Sequence, residues 1–413
     1  MNPPFNPTQH APSTLVAYGA AAERPVRPSG AWRLREWARR EFYAQRALAT
    51  TRRTGHLPAL VYHDHSCDWF VNHGDVAIAD TLVNHVVPRG QVAVERRNWQ
   101  PGGSTGWLDE ISAPMTVMVC GGGYVFLDAA GKLSPRLASD LAEFRRKGAA
   151  FGLVGVGVNQ LTENATRRDL EPDAGDRDTL LGLFGEAAFA SVRDVATQAY
   201  VRRATGLEIP LSGDPALFML DPNYQTAQRP NHGQRLQIGL SLPFHGAVVD
   251  RHLNRCLPAI VAALRETQTR LNCDFHYFAH FDSERVLPRL LAKFGLHFTV
   301  HGGSVPALLH GYSQLDAHIG GMLHSCILAT NHNVPLIGLA YDAKHAGLFN
   351  VLGLPEQKLD LDPDALQELP ALLASTLQQG NRIAAQLLRA RSSLLVPYRQ
   401  VIAKAQRQLG VQP

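Results

Sequence analysis

The sequence has few cysteines and no pattern that would join them. Five cysteines are spread over 413 residues, and no two of them stand in a C-x-x-C pair. A scattered, odd-numbered set argues against a disulfide framework and against a cysteine zinc site. The chain also lacks the eighteen or so uninterrupted apolar residues that a membrane-spanning helix requires. These absences predict a protein of the reducing cytoplasm.

The sequence also has no strong excess of positive or negative charge. The formal net charge is +4 and the sequence pI is about 8.8, which is mild for this length. This balance predicts no nucleic-acid binding, whereas it suits small anionic substrates. The first thirty or so residues lack the positive start and apolar centre of a signal peptide, so we expect no export. With 45% apolar residues in 413, the chain is long enough for two cooperating domains.

Residues 1–56 form an N-terminal extension in this interpretation. Residues 1–30 are rich in Pro, Ala and Ser without periodicity, and we expect no regular structure there. Residues 31–53 are basic and helix-permissive, with a partial apolar stripe that includes Trp32, Leu34 and Trp37. Two interpretations stay open for this segment. The helix packs across the first domain with its arginines in water, or it makes peripheral contact with anionic lipid.

From Leu57 onward, short β-rich runs alternate with helical stretches, as in parallel sheets with crossover helices. The pattern predicts an α/β chain of two Rossmann-like domains, 57–228 and 229–413, joined in the polar, turn-rich stretch 221–235. Strands are predicted at 58–62, 91–95, 115–120, 151–158, 236–242, 274–280, 297–301, 317–321 and 335–341. Helices are predicted at 75–87, 135–148, 178–188, 194–205 and from 363 to the end, with a break near Gly380. Two such domains leave a cleft at the carboxyl ends of their strands, where ligands of open α/β sheets bind.

Two turns in the first domain are candidates for ligand contact. Asn72, Gly74 and Asp75 open an amphipathic helix. Asp75 either caps that helix or serves as a base or hydroxyl acceptor. The second turn, Gly121, Gly122 and Gly123, follows a buried strand. It lets backbone approach a ligand, or only lets a helix pass close to the sheet.

Arg193 and Asp194 come just before another predicted helix of the first domain. An arginine in that place either clamps a carboxylate or phosphate or pairs with its neighbour at a helix start.

The densest group of chemical side chains lies in the second domain. Gly320–Ser325 precede a helix, and the strand after that helix carries Tyr341, Asp342 and Lys344. A parallel β-α-β passage returns Lys344 to the sheet edge that holds His324. The passage therefore predicts an acid–base group and a cation on one rim. A single histidine in a chain with 18 of them is more often structural.

Seven blocks, taken together, resemble the successive motifs of the polysaccharide pyruvyl transferases. They are NHGDVAI (72–78), CGGGYVF (120–126), GLVGVG (152–157), SVRD (191–194), GDPA (213–216), GGMLHS (320–325) and GLAYDAK (338–344). The resemblance implies a GT-B-like pair of Rossmann domains facing across a cleft. It also implies phosphoenolpyruvate as donor, a sugar or lipid-linked oligosaccharide as acceptor, and neither metal nor other cofactor.

The same resemblance implies roles for single residues. Arg193 matches the family arginine that holds the donor, and Lys344 matches the lysine after the following strand. His324 matches the histidine of the second domain, with Leu323 beside it as a substrate contact. The sequence departs from the family at Met322, where an arginine is usual. Losing one cation from a pocket for a phosphate and a carboxylate is expected to weaken donor binding.

The mechanistic hypothesis assigns His324 as general acid and Arg193 with Lys344 as anion clamps. The turns at 72–75 and 121–123 form the acceptor-side walls, and Asp75 or Asp342 accepts a proton. Two alternatives stay open. One is a GT-B-like glycosyltransferase that uses a nucleotide-activated sugar, and the other is a non-catalytic scaffold of the same fold. The oligomeric state is undetermined at this level.

Overall fold

A computed structural model describes residues 59–63, 72–87, 94–98, 115–128, 130–160, 171–222, 235–244 and 247–411. The predicted N-terminal extension, including the basic segment 31–53, and most of the predicted linker lie outside these residues. The boundaries of the two domains therefore stay a prediction.

The first half of the chain alternates strands and helices. Its strands are β1 (Ala59–His63), β2 (Val94–Asn98), β3 (Thr116–Cys120), β4 (Val125–Leu127), β5 (Ala150–Val156), β6 (Val158–Gln160) and β7 (Phe189–Val192). Its helices are α1 (His73–Val86), α2 (Pro135–Lys147), α3 (Arg177–Gly185) and α4 (Val195–Thr205), with short 3₁₀ turns at Ala174–Asp176 and Pro215–Phe218.

The second half repeats the alternation. Its strands are β8 (Leu236–Ser241), β9 (Cys273–Phe278), β10 (Phe298–His301), β11 (Ala317–Gly320), β12 (Leu336–Ala340) and β13 (Lys358–Asp360). Its helices are α5 (Ala247–Arg270), α6 (Val286–Ala292), α7 (Val305–Tyr312), α8 (Leu323–Thr330), α9 (Ala343–Val351), α10 (Leu369–Gln378) and α11 (Gly380–Gln408). Further 3₁₀ turns lie at Asp282–Arg285 and Ala365–Glu368.

Two parallel sheets organise the described residues. The first has strand order β2-β1-β3-β5-β7 and the second β10-β9-β8-β11-β12-β13. Every strand pair in both sheets is parallel. Central strands such as β3 and β12 are buried on both faces, which explains their continuous apolar sequences TVMVC and LIGLA. The predicted α/β class with parallel sheets is confirmed.

The structure differs from the expected strands where segments are short. The strand expected at 151–158 ends at Val156, and β6 pairs instead with β4 in a separate two-stranded ladder. Strands β4, β6, β7 and β13 have three or four residues each and were not predicted. Runs this short contain too few residues for a periodic pattern to separate them from loop.

One apolar core is shared by elements of both halves. It contains Ile78 of α1, Phe218 of the 3₁₀ turn, Ile327 of α8 and Leu387 and Tyr398 of α11. The rings of Phe218 and Tyr398 stack with their centroids 4.4 Å apart. The last helix therefore packs back onto the first half of the chain and holds the two sheets together beside the cleft.

Buried polar side chains fix the same junction. The Arg391 guanidinium donates to the carbonyls of Leu217, Leu220, Thr330 and Asn331. The Asn331 side chain accepts from the Leu220 N–H and donates to the Ala216 carbonyl. These bonds satisfy backbone groups on both sides of the junction, so they restrict its geometry. Within the described part of the chain, no helix combines the length and apolarity that a membrane crossing requires.

Candidate active site

The carboxyl ends of strands from both sheets meet at a cluster of buried charged side chains. Arg193 follows β7, and Asp214 directly precedes the 3₁₀ turn Pro215–Phe218. His324 follows β11, and Asp342 follows β12. These four residues are between 2% and 7% exposed. Burying charged groups is costly unless other groups in the site balance them, so a cluster of this kind indicates function.

The turn before α1 carries the first group. The Asn72 side chain accepts from the Gly74 N–H at 2.8 Å, so it caps the helix. The His73 N–H donates to the His280 carbonyl at 3.1 Å, which docks this turn on the second half of the chain. A Cβ atom on Gly74 would lie 2.0 Å from His324 Nδ1. Only glycine therefore allows the helix start to rest against the His324 ring.

The glycine turn after β3 lies on the other side of Asp75. Gly121 and Gly122 have φ angles of +51° and +67°, which favour glycine. A Cβ on Gly122 would lie 3.7 Å from Asp75 Oδ1, whereas a Cβ on Gly123 would meet Asn159. Gly122 therefore borders Asp75, whereas Gly121 packs against Ile78 and Pro215 and Gly123 packs against β6.

Arg193 is held by its neighbours in the first sheet. Its Nε lies 3.3 Å from Asp194 Oδ2, and its terminal nitrogen lies 3.4 Å from the Val158 carbonyl. A Cβ on Gly157 would lie 2.0 Å from Arg193 Nε, so the guanidinium passes directly over that glycine. Asp194 in turn caps α4 by accepting from the Thr197 N–H. The ion pair between Arg193 and Asp194, which was one of two interpretations of the sequence, is therefore present. It positions the guanidinium without using all of its donors.

Asp214 and His324 face each other across the two halves of the chain. The distance from Asp214 Oδ2 to His324 Nε2 is 3.9 Å. Neither atom has a hydrogen-bond partner among the described residues. Asp214 Oδ1 is already used, because it accepts from the Ala216 N–H at 3.0 Å. The gap between Oδ2 and Nε2 is too long for a direct hydrogen bond and places two unsatisfied polar atoms toward each other.

The electrostatics of this pair depend on burial and on the surrounding charges. Burial raises the pKa of Asp214, and the charges of His324 and Arg193 oppose that rise. Burial lowers the pKa of His324, and the carboxylates of Asp214 and Asp75 counteract it. Arg193 and Lys344 lower the pKa of His324 further. Burial therefore disfavours the charged form of each group, and the opposite charge of its partner favours it.

A second ionic group lies after β12. Lys344 Nζ is 2.8 Å from Asp342 Oδ2 and 4.8 Å from the centroid of the Tyr341 ring. Although burial alone would raise it, the Lys344 ammonium and the contact with the His345 ring hold the pKa of Asp342 below its ordinary value. Burial alone would lower the pKa of the Lys344 amine, but Asp342 and Tyr341 raise it. Asp342 is therefore paired with Lys344, and its part as a proton acceptor stays a prediction.

His345 was missed by the sequence reasoning. Its Nδ1 lies 3.1 Å from Asp342 Oδ1, and its Nε2 lies 3.1 Å from the Gly321 carbonyl. The ring therefore links the end of β12 to the glycine turn after β11. The signal was its position three residues after Asp342 on a helix, which places both side chains on one face.

The sequence predicted no role for Asp214, although it stands in one of the resembling blocks. Leu323, in contrast, was expected to contact substrate, and its side chain is 4% exposed within the shared apolar core. Met322, in the place of the usual arginine, is also buried at 4% exposure. Among the described residues, no three His, Cys, Asp or Glu side chains come together as a metal site. The metal-free reaction stays an expectation.

A hydrogen-bond network fixes the start of α8 and hence His324. The Ser325 hydroxyl donates to the Met322 carbonyl at 2.7 Å and lies 3.1 Å from His318 Nε2. The Ser241 hydroxyl donates to the Ser325 hydroxyl at 3.0 Å, and it accepts from the Met322 N–H at 3.2 Å. Burial lowers the pKa of His318 to about 3, so its ring is neutral. The network joins β8, β11 and α8 directly beneath the candidate acid.

The sequence model of the polysaccharide pyruvyl transferases matches residues 72–343, which is more than half of the chain. This chain belongs to the polysaccharide pyruvyl transferase family. It is therefore a transferase that acts in polysaccharide pyruvylation, and a sugar or polysaccharide is the acceptor class of this family. Asp75, Arg193, Asp214, His324 and Asp342 all lie within the matched residues.

Solved structures with a similar fold are enzymes of nucleotide-sugar chemistry. A S. aureus MnaA–UDP structure is 10% identical and has a TM-score of 0.52, covering 86% of this chain and 98% of that one. A putative UDP-N-acetylglucosamine 2-epimerase from Listeria monocytogenes is 12% identical, with a TM-score of 0.51 and coverage of 81% and 91%. The Neisseria meningitidis UDP-GlcNAc 2-epimerase, bound to UDP-GlcNAc, is 9% identical, with a TM-score of 0.50 and coverage of 85% and 100%. At such identities the likeness concerns the fold, and it identifies this pyruvyl transferase as GT-B-like.

Proposed function

We propose that this pyruvyl transferase moves enolpyruvyl from phosphoenolpyruvate to two hydroxyls of a sugar, forming a pyruvate ketal. The observation that carries the proposal is the buried pair of His324 and Asp214, 3.9 Å apart, with Arg193 and Lys344 acting on His324 electrostatically. A donor with a phosphate and a carboxylate suits a site with two fixed cations and a buried histidine–aspartate pair.

The reaction begins with a proton transfer in this proposal. His324 protonates the methylene carbon of the donor, and positive character develops at the central carbon. One sugar hydroxyl forms a C–O bond at that carbon, and the bond to the phosphate oxygen breaks. The second hydroxyl then forms the other C–O bond of the ketal. Of the two protons lost by the hydroxyls, one returns to the His324–Asp214 pair and one leaves with hydrogen phosphate.

Binding of the donor anions would change the protonation state of His324. Burial lowers the pKa of His324 before the donor binds, and a general acid has to be protonated to act. A phosphate or carboxylate beside the ring favours its charged form, just as Asp214 and Asp75 already do. Protonation of His324 would therefore accompany donor binding, which limits acid catalysis to the occupied site.

Positive charge near residue 322 has another source in this chain. Met322 lacks the cation that the family usually has there, but His345 and Lys344 both lie on Asp342 after the next strand. We propose that Lys344 supplies the cation for one donor anion in place of the missing arginine, and that His345 holds Asp342 in position beside it.

The proposal is tested by binding and product formation with purified full-length protein. Calorimetry would measure phosphoenolpyruvate and UDP-sugar binding to the unmodified chain, Arg193→Gln and the control Arg202→Gln. Arg202 is an exposed arginine on α4, with 60% of its side chain accessible. Phosphate release and the new ketal methyl signal in NMR would follow turnover with a panel of pyranoside diols.

Phosphoenolpyruvate binding that Arg193→Gln loses and Arg202→Gln keeps is the expected result. The runner-up, a glycosyltransferase that uses a nucleotide-activated sugar, gains its support from Met322. It predicts UDP-sugar binding, no phosphoenolpyruvate binding and no ketal methyl signal. That combination would replace the proposed reaction.

A further inference from the structure

A groove on the outer edge of the second sheet lies apart from the His324–Asp214 pair. It has a volume of about 310 Å³ between α6 and the edge strand β10. Its lining is Arg285, Pro288, Arg289, Ala292, His297, Phe298 and Val300. We refer to the groove and its rim, residues 285–300, as the edge surface.

The edge surface exposes large apolar side chains in a short stretch. Val286 is 48% exposed, Phe294 is 40% exposed and Val300 is 43% exposed. These three lie within fifteen residues, while the described chain has only four other exposed large apolar side chains. Exposed apolar side chains concentrated in one region indicate a surface that a membrane or another molecule covers.

Positive charge surrounds these apolar side chains. Arg289, Lys293 and His297 are exposed and Arg285 is half-buried. Arg265 of α5 lies at the rim, where its Nε donates to the Phe294 carbonyl. The exposed acid of this stretch is Asp282, which pairs with Arg285 at 3.3 Å. Glu284 is fully buried, and burial raises its pKa to about 8, so it adds no anionic charge to the surface at neutral pH.

We propose that the edge surface docks this protein on an anionic phospholipid bilayer. A lipid phosphate would lie in the groove beside Arg285, Arg289 and His297. Val286, Phe294 and Val300 would enter the boundary between headgroups and acyl chains. Cations combined with exposed apolar side chains match an anionic bilayer on both counts, since its surface attracts basic side chains and its boundary accepts apolar ones.

The position of the groove determines where a docked bilayer would lie relative to the candidate active site. Arg285 belongs to the 3₁₀ turn Asp282–Arg285, which begins two residues after His280. The His280 carbonyl accepts from the His73 N–H of the α1 turn at 3.1 Å, so this end of the groove lies next to that turn. A docked bilayer would therefore lie near the mouth of the site. The docking itself does not depend on the proposed donor, and it is measured without turnover.

Vesicle cosedimentation of the full chain tests the docking. Vesicles of phosphatidylcholine with and without phosphatidylglycerol would be compared at low and high salt. The test variants are Arg289→Gln with Lys293→Gln, and Phe294→Ser with Val300→Ser. The matched controls are Arg382→Gln with Arg389→Gln, and Leu388→Ser with Val396→Ser, all exposed positions of α11.

A third variant separates the edge surface from the basic N-terminal segment. It replaces Arg33, Arg35, Arg39 and Arg40 by Gln in the otherwise unchanged chain. Sedimentation velocity of each variant without vesicles reports any association between copies of this chain.

We expect salt-sensitive binding to phosphatidylglycerol vesicles that falls about tenfold or more in both edge-surface variants and stays unchanged in both α11 controls. Three outcomes would overturn the proposal. They are no binding to anionic vesicles, loss of binding only in the N-terminal variant, or edge-surface variants that alter self-association and leave vesicle binding intact.

Discussion

His324 Nε2 lies 3.9 Å from Asp214 Oδ2, and these two atoms belong to opposite halves of the chain. Asp214 is 2% exposed and His324 is 7% exposed, so water has little access to either side chain. Polar atoms this deeply buried normally find a partner in the protein. A gap between two such atoms at the carboxyl ends of both sheets is most simply a place for a reacting group.

Replacing His324 by Asn is expected to reduce kcat by about a thousandfold, because the proposed acid is lost while a polar side chain of similar shape remains. Far-UV circular dichroism and the unfolding midpoint should change little. Ketal formation measured by NMR gives the rate. The control is His310→Asn, an exposed histidine of α7. Full activity of His324→Asn would contradict the assignment.

Replacing Asp214 by Asn removes a carboxylate that raises the pKa of His324. The pKa of His324 should therefore fall further, and the alkaline limb of the kcat/KM profile should move to lower pH. Activity at neutral pH should drop about tenfold or more. The pKa itself is measured by ¹⁵N NMR of the His324 ring. A purely structural role for Asp214 would lower activity without moving either the limb or the NMR titration.

Replacing Gly74 by Ala places a Cβ 2.0 Å from His324 Nδ1, so the ring or the α1 turn has to shift. We expect a loss of kcat of about a hundredfold with a folded protein, because misplacement by about one ångström has effects of this size. Gly185→Ala is the control, since its added Cβ meets no atom closer than 3.7 Å. Equal activities of the two variants would contradict close packing against His324.

Replacing Arg391 by Met leaves the carbonyls of Leu217, Leu220 and Thr330 without this donor. The expected loss is about 3–5 kcal/mol in the free energy of unfolding, because each buried acceptor left unsatisfied costs about 1–3 kcal/mol. Arg389→Met on the exposed face of the same helix should cost less than about 0.5 kcal/mol. Urea denaturation measures both values. Similar stabilities would show that the junction does not depend on Arg391.

Stability should fall in mild acid because buried histidines are neutral in the folded state. Burial lowers the pKa of His318 to about 3, and it lowers that of His280 well below its ordinary value. Below about pH 6.5 the unfolded chain binds protons that the folded chain does not, so the unfolding free energy decreases until the folded pKa is reached. Each such histidine contributes up to about 1.4 kcal/mol per pH unit.

The measurement is urea denaturation at a series of pH values between 7 and 4. The variant His318→Asn should show a shallower decline than the unmodified chain, because one of these groups no longer titrates. An unchanged slope in that variant would mean that His318 is not neutral in the folded protein.

The sequence by itself determined the parallel α/β architecture. Strands such as β3 and β12 consist almost entirely of apolar residues. The order of strand-end motifs also predicted that Arg193 and His324 would stand at sheet edges. These signals are local, because each comes from hydrophobic periodicity or turn chemistry within about ten to twenty residues.

Only the tertiary structure decided which strand-end residues meet. Asp214 and His324 are 110 positions apart and belong to different sheets, so no local pattern could pair them. The double contact of His345 with Asp342 and Gly321, and the dependence of His324 on Gly74, also require coordinates. The physical reason is that a site between two domains depends on how their cores pack. Here α11 and the Arg391 hydrogen bonds set that packing from the far end of the chain.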